Sequence, residues 1–382
     1  MDPQALIDTS YLPPLPAPFW FIQFFKVLGF GLHMILMNLW YAGVPIAAGL
    51  WLSGHLHGRR LTARLIAQMP LIIAFGVNFG IVPLLFIQVA YGKFFYPATI
   101  LMAWTWFSVF VLLTFAYYGI YLFAHGLKKH GENLPKGYLA AGWVSGVIFL
   151  VLGFIFTNTM SLMANVPAWP VLLQNHSIHG AALGTALNTG DPTLWPRWLM
   201  LFGLALTTLS VWIVADTTWF ARNESSDYRR WSLRFAWKAH TVGMLVFAAM
   251  GSWYVFGTWP EEVRARMLHG PMIMHTLLTG AIPGLVWLLL ALGARSAASS
   301  ASLPGRGWAA AVVLAQVAVL AVNAVSRQMV QNIELQRFSA SLWKETAAQW
   351  SPMALFLAAF VLGLALIAWM ILQVVRAEKA AN

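Results

Sequence analysis

The chain of 382 residues is 60% hydrophobic, only 9% charged, and has a mean hydropathy of +0.70. Soluble domains carry about a quarter charged residues, so these values exclude a soluble globular protein and define a polytopic membrane protein. The net charge of +11 lies in short gaps between apolar runs, where it orients helices, so no nucleic-acid partner is read from it; the lack of cysteine excludes disulfides, thiolate clusters and a covalently attached haem within this chain.

The opening MDPQALIDTSYLPPLPAPFW has no basic segment ahead of an apolar core. It reads as a Pro-rich outer arm, residues 1–19, and not as a cleavable signal peptide. About 20 apolar residues cross a bilayer, and by that measure nine spans follow. They cover 20–52, 66–92, 98–124, 138–163, 195–219, 235–258, 271–294, 307–326 and 352–375. The expected fold is an all-α polytopic transmembrane helical bundle, a single domain over residues 1–382. With the N-terminus outside, the inner connections and the tail hold 15 Lys and Arg, against 8 on the outer side and at the start of the first span. That bias places the N-terminus outside and the C-terminus inside. Tryptophan and tyrosine at the span ends, as in WTWF, PAWP and GSWY, suit interfacial anchoring in membrane lipid. Two outer loops, 164–194 and 327–351, exceed what a turn requires, and such loops are where substrates and partner subunits dock.

Ionisable groups inside spans are few: Lys26, His33, Asp216, His240 and His275. No interior Asp or Glu relay of the kind an ion-coupled carrier uses is present. Asp216 reads as a local cap or pair near the inner end of its span. His33, in VLGFGLHMILMN, follows Gly29 and Gly31, which allow close approach of a helix or a flat ligand. Two readings stand for it: a haem or quinone contact, or an imidazole bonded to a neighbouring helix. In HGPMIMH, His269 lies on the outer rim, Pro271 suits a first helical turn, and Met274 points about 100° away from His275. Only one of Met274 and His275 therefore faces a given iron, the imidazole being the stronger ligand, and the methionines read equally well as adaptable packing. His125 and His240 lie beside basic inner loops, where exposed histidines are ordinary. His176 and His179, three apart in the long outer loop, suit part of a quinol-oxidation rim or of a metal site, the metal reading being the weaker because no third ligand lies nearby in sequence.

Several stretches together resemble subunit I of the cytochrome bd quinol oxidases. FGVNFGIVPLLFIQVAYG is similar to that family's second span, GVIFLVLGFIFTNTMSLMANVPAW to its fourth, and AVNAVSRQM to its region ending in Gly-Arg-Gln, with Arg327 and Gln328 in the places of Arg-Gln. The resemblance implies heme b, quinol as substrate, a partner membrane subunit, a periplasmic c-type cytochrome and a bacterial inner membrane. It also implies that Arg327 and Gln328 border the cofactor, that Met274 holds the place of a haem ligand, and that the outer rim with His176, His179 and His269 meets quinol. The departures are as informative. Trp40 stands where the family has a histidine in its first span, Trp106 and Thr114 replace its two glutamates, Ala324 its ligating glutamate, and Leu199 or Met200 its low-spin haem histidine. Without those groups the chain is not expected to reduce oxygen itself. The expectation is a membrane electron-transfer subunit with His33 and His275 as relocated haem ligands; the alternative is a haem-free structural anchor of a respiratory complex.

Overall fold

The computed structural model describes residue 7 and residues 14–299, 303–339, 343 and 346–380. Among these, nine helices are long and apolar enough to cross a membrane. In chain order, spans one to four are Phe19–Leu52, Leu56–Ala90, Ala103–His130 and Lys136–Ala164. Span five is Leu194–Ala215, continued by a π turn, Asp216–Phe220. Span six is Ser226–Ser252, with a second π turn, Trp253–Thr258. Spans seven to nine are Ile273–Ser299, Arg306–Ser339 and Trp350–Ala380. The protein is thus an all-α multi-pass membrane bundle.

Several helices outrun the apolar stretches that define them. Span two has 35 residues, roughly 52 Å at 1.5 Å per residue, against a hydrocarbon core of about 30 Å. Its basic first turns, LHGRRLTAR, stay helical beyond the membrane, so hydropathy finds the crossing and not the helix end. The same holds at the start of span six. The second outer loop, expected over 327–351, is corrected in its first part: residues 327–339 are the last turns of span eight. Val330 and Ile333 recur at helical spacing and are buried there, while Gln331 and Asn332 between them bond to Lys26 of span one and to Tyr91 just past span two. Of the N-terminal arm, residues 1–6 and 8–13 lie outside the described residues. Leu15 and Pro16 accept backbone bonds from Ala347 and Gln349, which ties the arm to the approach of span nine.

Span five is the hub, with 78% of its most apolar stretch buried. It packs on span six on one side and on spans one and eight on the others, and span one also lies along span two. Helix association in lipid depends on close packing, because hydrocarbon offers no hydrophobic drive between helices. Two devices supply it here. Gly203 and Gly243 bring the backbones of spans five and six together, and a Cβ on Gly203 would stand 2.6 Å from the Phe247 nitrogen. Elsewhere rings seat in glycine notches: Trp40 fills the space beside Gly76, and His33 the space beside Gly80. The first outer loop, 164–194, is ordered, with a short helix, Trp169–Asn175, and a hairpin pairing Ser177–Ile178 with Ala181–Ala182. Asn188 fastens it, donating to Ser161 Oγ at 3.0 Å and Asp191 Oδ2 at 2.9 Å.

Candidate functional site

Lys26, Phe30 and His33 fall at i, i+4 and i+7 on span one, so they form one stripe. Lys26 is 8% exposed, and its ammonium donates to Gln328 Oε1 at 2.7 Å and Gln331 Oε1 at 2.5 Å while lying 4.4 Å above the Tyr91 ring. Tyr91, just past the end of span two, donates to Asn332 Oδ1 at 2.5 Å and accepts from Gln23 and Gln328. Polar side chains from spans one and eight thus close around one buried cation.

Two guanidiniums adjoin it. Arg327 lies over the Phe30 ring at 5.1 Å, within electrostatic reach of Lys26 and Arg197. Arg197, at the outer entrance of span five, faces the Tyr254 ring at 5.8 Å, and its Nη1 is buried without a hydrogen-bond partner. Glu334 and Asp191 are within electrostatic reach of Arg197, yet among the described residues none of the three cations forms a salt bridge. Like charges gathered in a low-dielectric interior repel and are costly to desolvate. The arrangement suits an acidic or strongly accepting guest.

His33 has its Nδ1 2.8 Å from the Gly76 carbonyl. A carbonyl only accepts, so Nδ1 carries the proton and Nε2 keeps its lone pair. That is the tautomer a metal-ligating histidine adopts when a backbone oxygen orients it, and equally the bond to a neighbouring helix that a purely packed histidine makes. His275 is half-buried, and its Nε2 is enclosed with no partner. Met274, by contrast, is 63% exposed and turns away from the bundle. Span seven packs on spans six and eight while His33 faces span two, so no observed contact brings His33 and His275 together. Gln328 lies in the buried network and Arg327 beside it, so the Arg-Gln pair does border a polar site.

The outer-loop histidines do not converge. His176 bonds Thr185 Oγ1 at 3.0 Å, His179 occupies the hairpin tip with φ of 51°, and exposed His269 ends a short helix, Glu261–Leu268, between spans six and seven. Among the described residues no cluster of three or more His, Asp or Glu could hold a metal ion.

Two expectations need correction. His240 is not exposed: it is wholly buried between spans five, six and seven, because the apolar face of span six continues past the basic loop. Asp216 pairs across the bundle and not locally. Its carboxylate accepts from Arg64 Nε at 2.7 Å, Arg64 Nη2 at 2.9 Å and Gln68 Nε2 at 3.0 Å, all on span two. Glu224, at the inner surface, extends this network to Arg60, whose hydrogen bond holds the Glu224 carboxyl below its ordinary range. Trp40 is buried against Gly76, and Trp106 packs on Phe95 and Phe156, so both indoles serve packing.

Lys26 was visible in the sequence only as an isolated charge, and Arg197, Tyr91 and Tyr254 carried no site signal at all. The i, i+4, i+7 stripe of Lys26, Phe30 and His33 is the one pattern that marks this face. No family model matches the chain, and no curated protein matches it either.

Proposed function

We propose that the protein is a membrane electron-transfer subunit of the cytochrome bd subunit I kind, in a bacterial cytoplasmic membrane, taking electrons from quinol and passing them to a partner cytochrome without reducing oxygen. The observation that carries this reading is the stripe of Lys26, Phe30 and His33 with Arg327 across it and Arg197 beyond. The residues present fit heme b in part. Arg327, Arg197 and Lys26 would hold its acidic edge, since guanidinium and ammonium pair well with carboxylate, and His33 Nε2 would be the iron-facing nitrogen. His275, with its enclosed free Nε2, is the second candidate ligand, and Met274 does not fit. Heme b, when bound, supplies a one-electron carrier. The same cations, with Gln328 and Tyr91, offer donors to a quinol or quinone oxygen.

A reduced-minus-oxidised spectrum with a haem count per chain tests the proposal. A b-type band is expected, lost in His33→Ala and weakened in Arg327→Met by about tenfold in haem retention. A count of zero in a correctly assembled complex overturns it and leaves the haem-free anchor. That second reading draws support from outward-facing Met274 and from the His33 ring seated against Gly80.

A further inference from the structure

At 3.6 residues per turn, Arg230, Arg234, Trp237, Lys238 and Thr241 of span six fall within about 100° of arc, so they share one flank. That flank borders span seven. Arg230 donates to the Ala297 carbonyl, Trp287 Nε1 donates to Thr241 Oγ1 at 2.9 Å, and the Trp237 and Trp287 rings lie 6.3 Å apart. Arg234 and Lys238 are exposed, and among the described residues neither makes a hydrogen bond or an ion pair. No acidic residue follows Asp227 in span six, and span seven has none.

Arg60 and Arg64, at the same end of the bundle, meet Glu224 and Asp216, and Lys128 and Lys129 lie in the last turn of span three, where unpaired carbonyls favour positive charge. Arg234 and Lys238 have neither support. They stand eight and twelve residues inside span six, roughly 12 and 18 Å from its first residue. Indole rings settle at the level of lipid headgroups, and Trp237 and Trp287 mark that level on this flank. Lys238 is beside them and Arg234 one turn further toward the surface, at the depth of the lipid phosphates. Toward the hydrocarbon the flank turns apolar: Leu245 is exposed, and on span seven Gly284 and Gly280 continue the Trp287 stripe. A Cβ on either glycine would meet nothing within 4 Å, which leaves an open trough wide enough for an acyl chain.

We infer that the flank between spans six and seven binds one anionic phospholipid, with Arg234 and Lys238 holding its phosphate-bearing headgroup and an acyl chain lying along Gly284 and Gly280. Two cations one helical turn apart, with no carboxylate on either helix beside them, favour a headgroup of net negative charge. A zwitterionic headgroup brings its own cation to the same place and gains less. The trough supplies what surface charge alone does not, a fixed position for the chain below the headgroup. This inference does not depend on haem or quinol, whose site around Lys26 lies at the other end of the bundle.

Native mass spectrometry of the full chain in detergent, titrated with equal amounts of phosphatidylglycerol and phosphatidylcholine, tests the site. The parent chain is expected to take up a first phosphatidylglycerol in preference to phosphatidylcholine. Arg234→Gln and Lys238→Gln are each expected to weaken that first binding about fivefold, and together about thirtyfold. Both side chains are exposed and unpartnered, so the thermal unfolding of these variants should match the parent. Lys128→Gln with Lys129→Gln removes the same charge from the same end of the bundle and is expected to leave the first phosphatidylglycerol in place. Gly284→Leu fills the trough and is expected to weaken binding with every cation still present. A parent chain without preference overturns the inference. So does full retention by the Arg234 and Lys238 double variant, equal weakening by the Lys128 and Lys129 pair, or Gly284→Leu binding as the parent does.

Discussion

Asp216→Ala will destabilise the bundle by about 3–5 kcal/mol, the usual cost of stripping one partner from a buried ion pair. Asp216 is fully buried, and its carboxylate takes two hydrogen bonds from Arg64 and one from Gln68. Gln68 is itself held, accepting from Trp212 Nε1 at 3.0 Å. Removing the carboxylate leaves the Arg64 side chain, only 19% exposed, with Glu224 at 3.3 Å as its remaining counter-charge. Reversible unfolding in mixed micelles measures the loss. The double variant Arg64→Leu with Asp216→Leu is expected to recover most of it, since an apolar pair carries no desolvation cost. If Asp216→Ala costs no more than Glu224→Gln does, the pair does not hold span two to span five.

The second large effect lies at the crossing of spans five and six. A Cβ on Gly243 would stand 2.8 Å from the Gly203 oxygen and 2.9 Å from the Thr207 nitrogen, and one on Gly203 would meet the Gly243 oxygen at 2.8 Å. These obstacles are backbone, so no rotamer relieves them and the helices must separate. Gly203→Ala or Gly243→Ala should each cost about 1–3 kcal/mol, and leucine at either position should prevent assembly. Gly251→Ala is the control, because its Cβ would meet only Met200 Sδ at 3.5 Å, an ordinary contact. Monodisperse yield on size exclusion, together with unfolding, reads both. An unaltered Gly243→Leu chain would mean that spans five and six do not cross at these glycines.

Both sites bear on what a sequence of this kind can disclose. The nine crossings were legible because an apolar run of about 20 residues has few other uses. Helix ends were not legible, since LHGRRLTAR and RQMVQNIELQRF are polar and hydropathy cannot see that they remain helical. Asp216 was expected to pair nearby because sequence gives only near neighbours, and its partner, Arg64, lies 152 positions away. Counting along the chain puts His240 beside a basic loop, yet helical phase turns it inward while Lys238, two residues earlier, stays exposed. At the outer site Arg327 and Gln328 were found through a motif. Lys26 and Arg197 were not, because their relation to Arg327 exists only once spans one, five and eight are folded together.

The seat of Trp40 beside Gly76 ties together two positions 36 residues apart. A Cβ at position 76 would lie 2.1 Å from the indole, so neither residue can be exchanged alone for a bulkier neighbour. The two positions are coupled by shape. A smaller ring at position 40 would release position 76 from glycine, whereas tryptophan requires the notch. Residue 76 thereby sets how large a ring position 40 can carry, while its carbonyl orients His33.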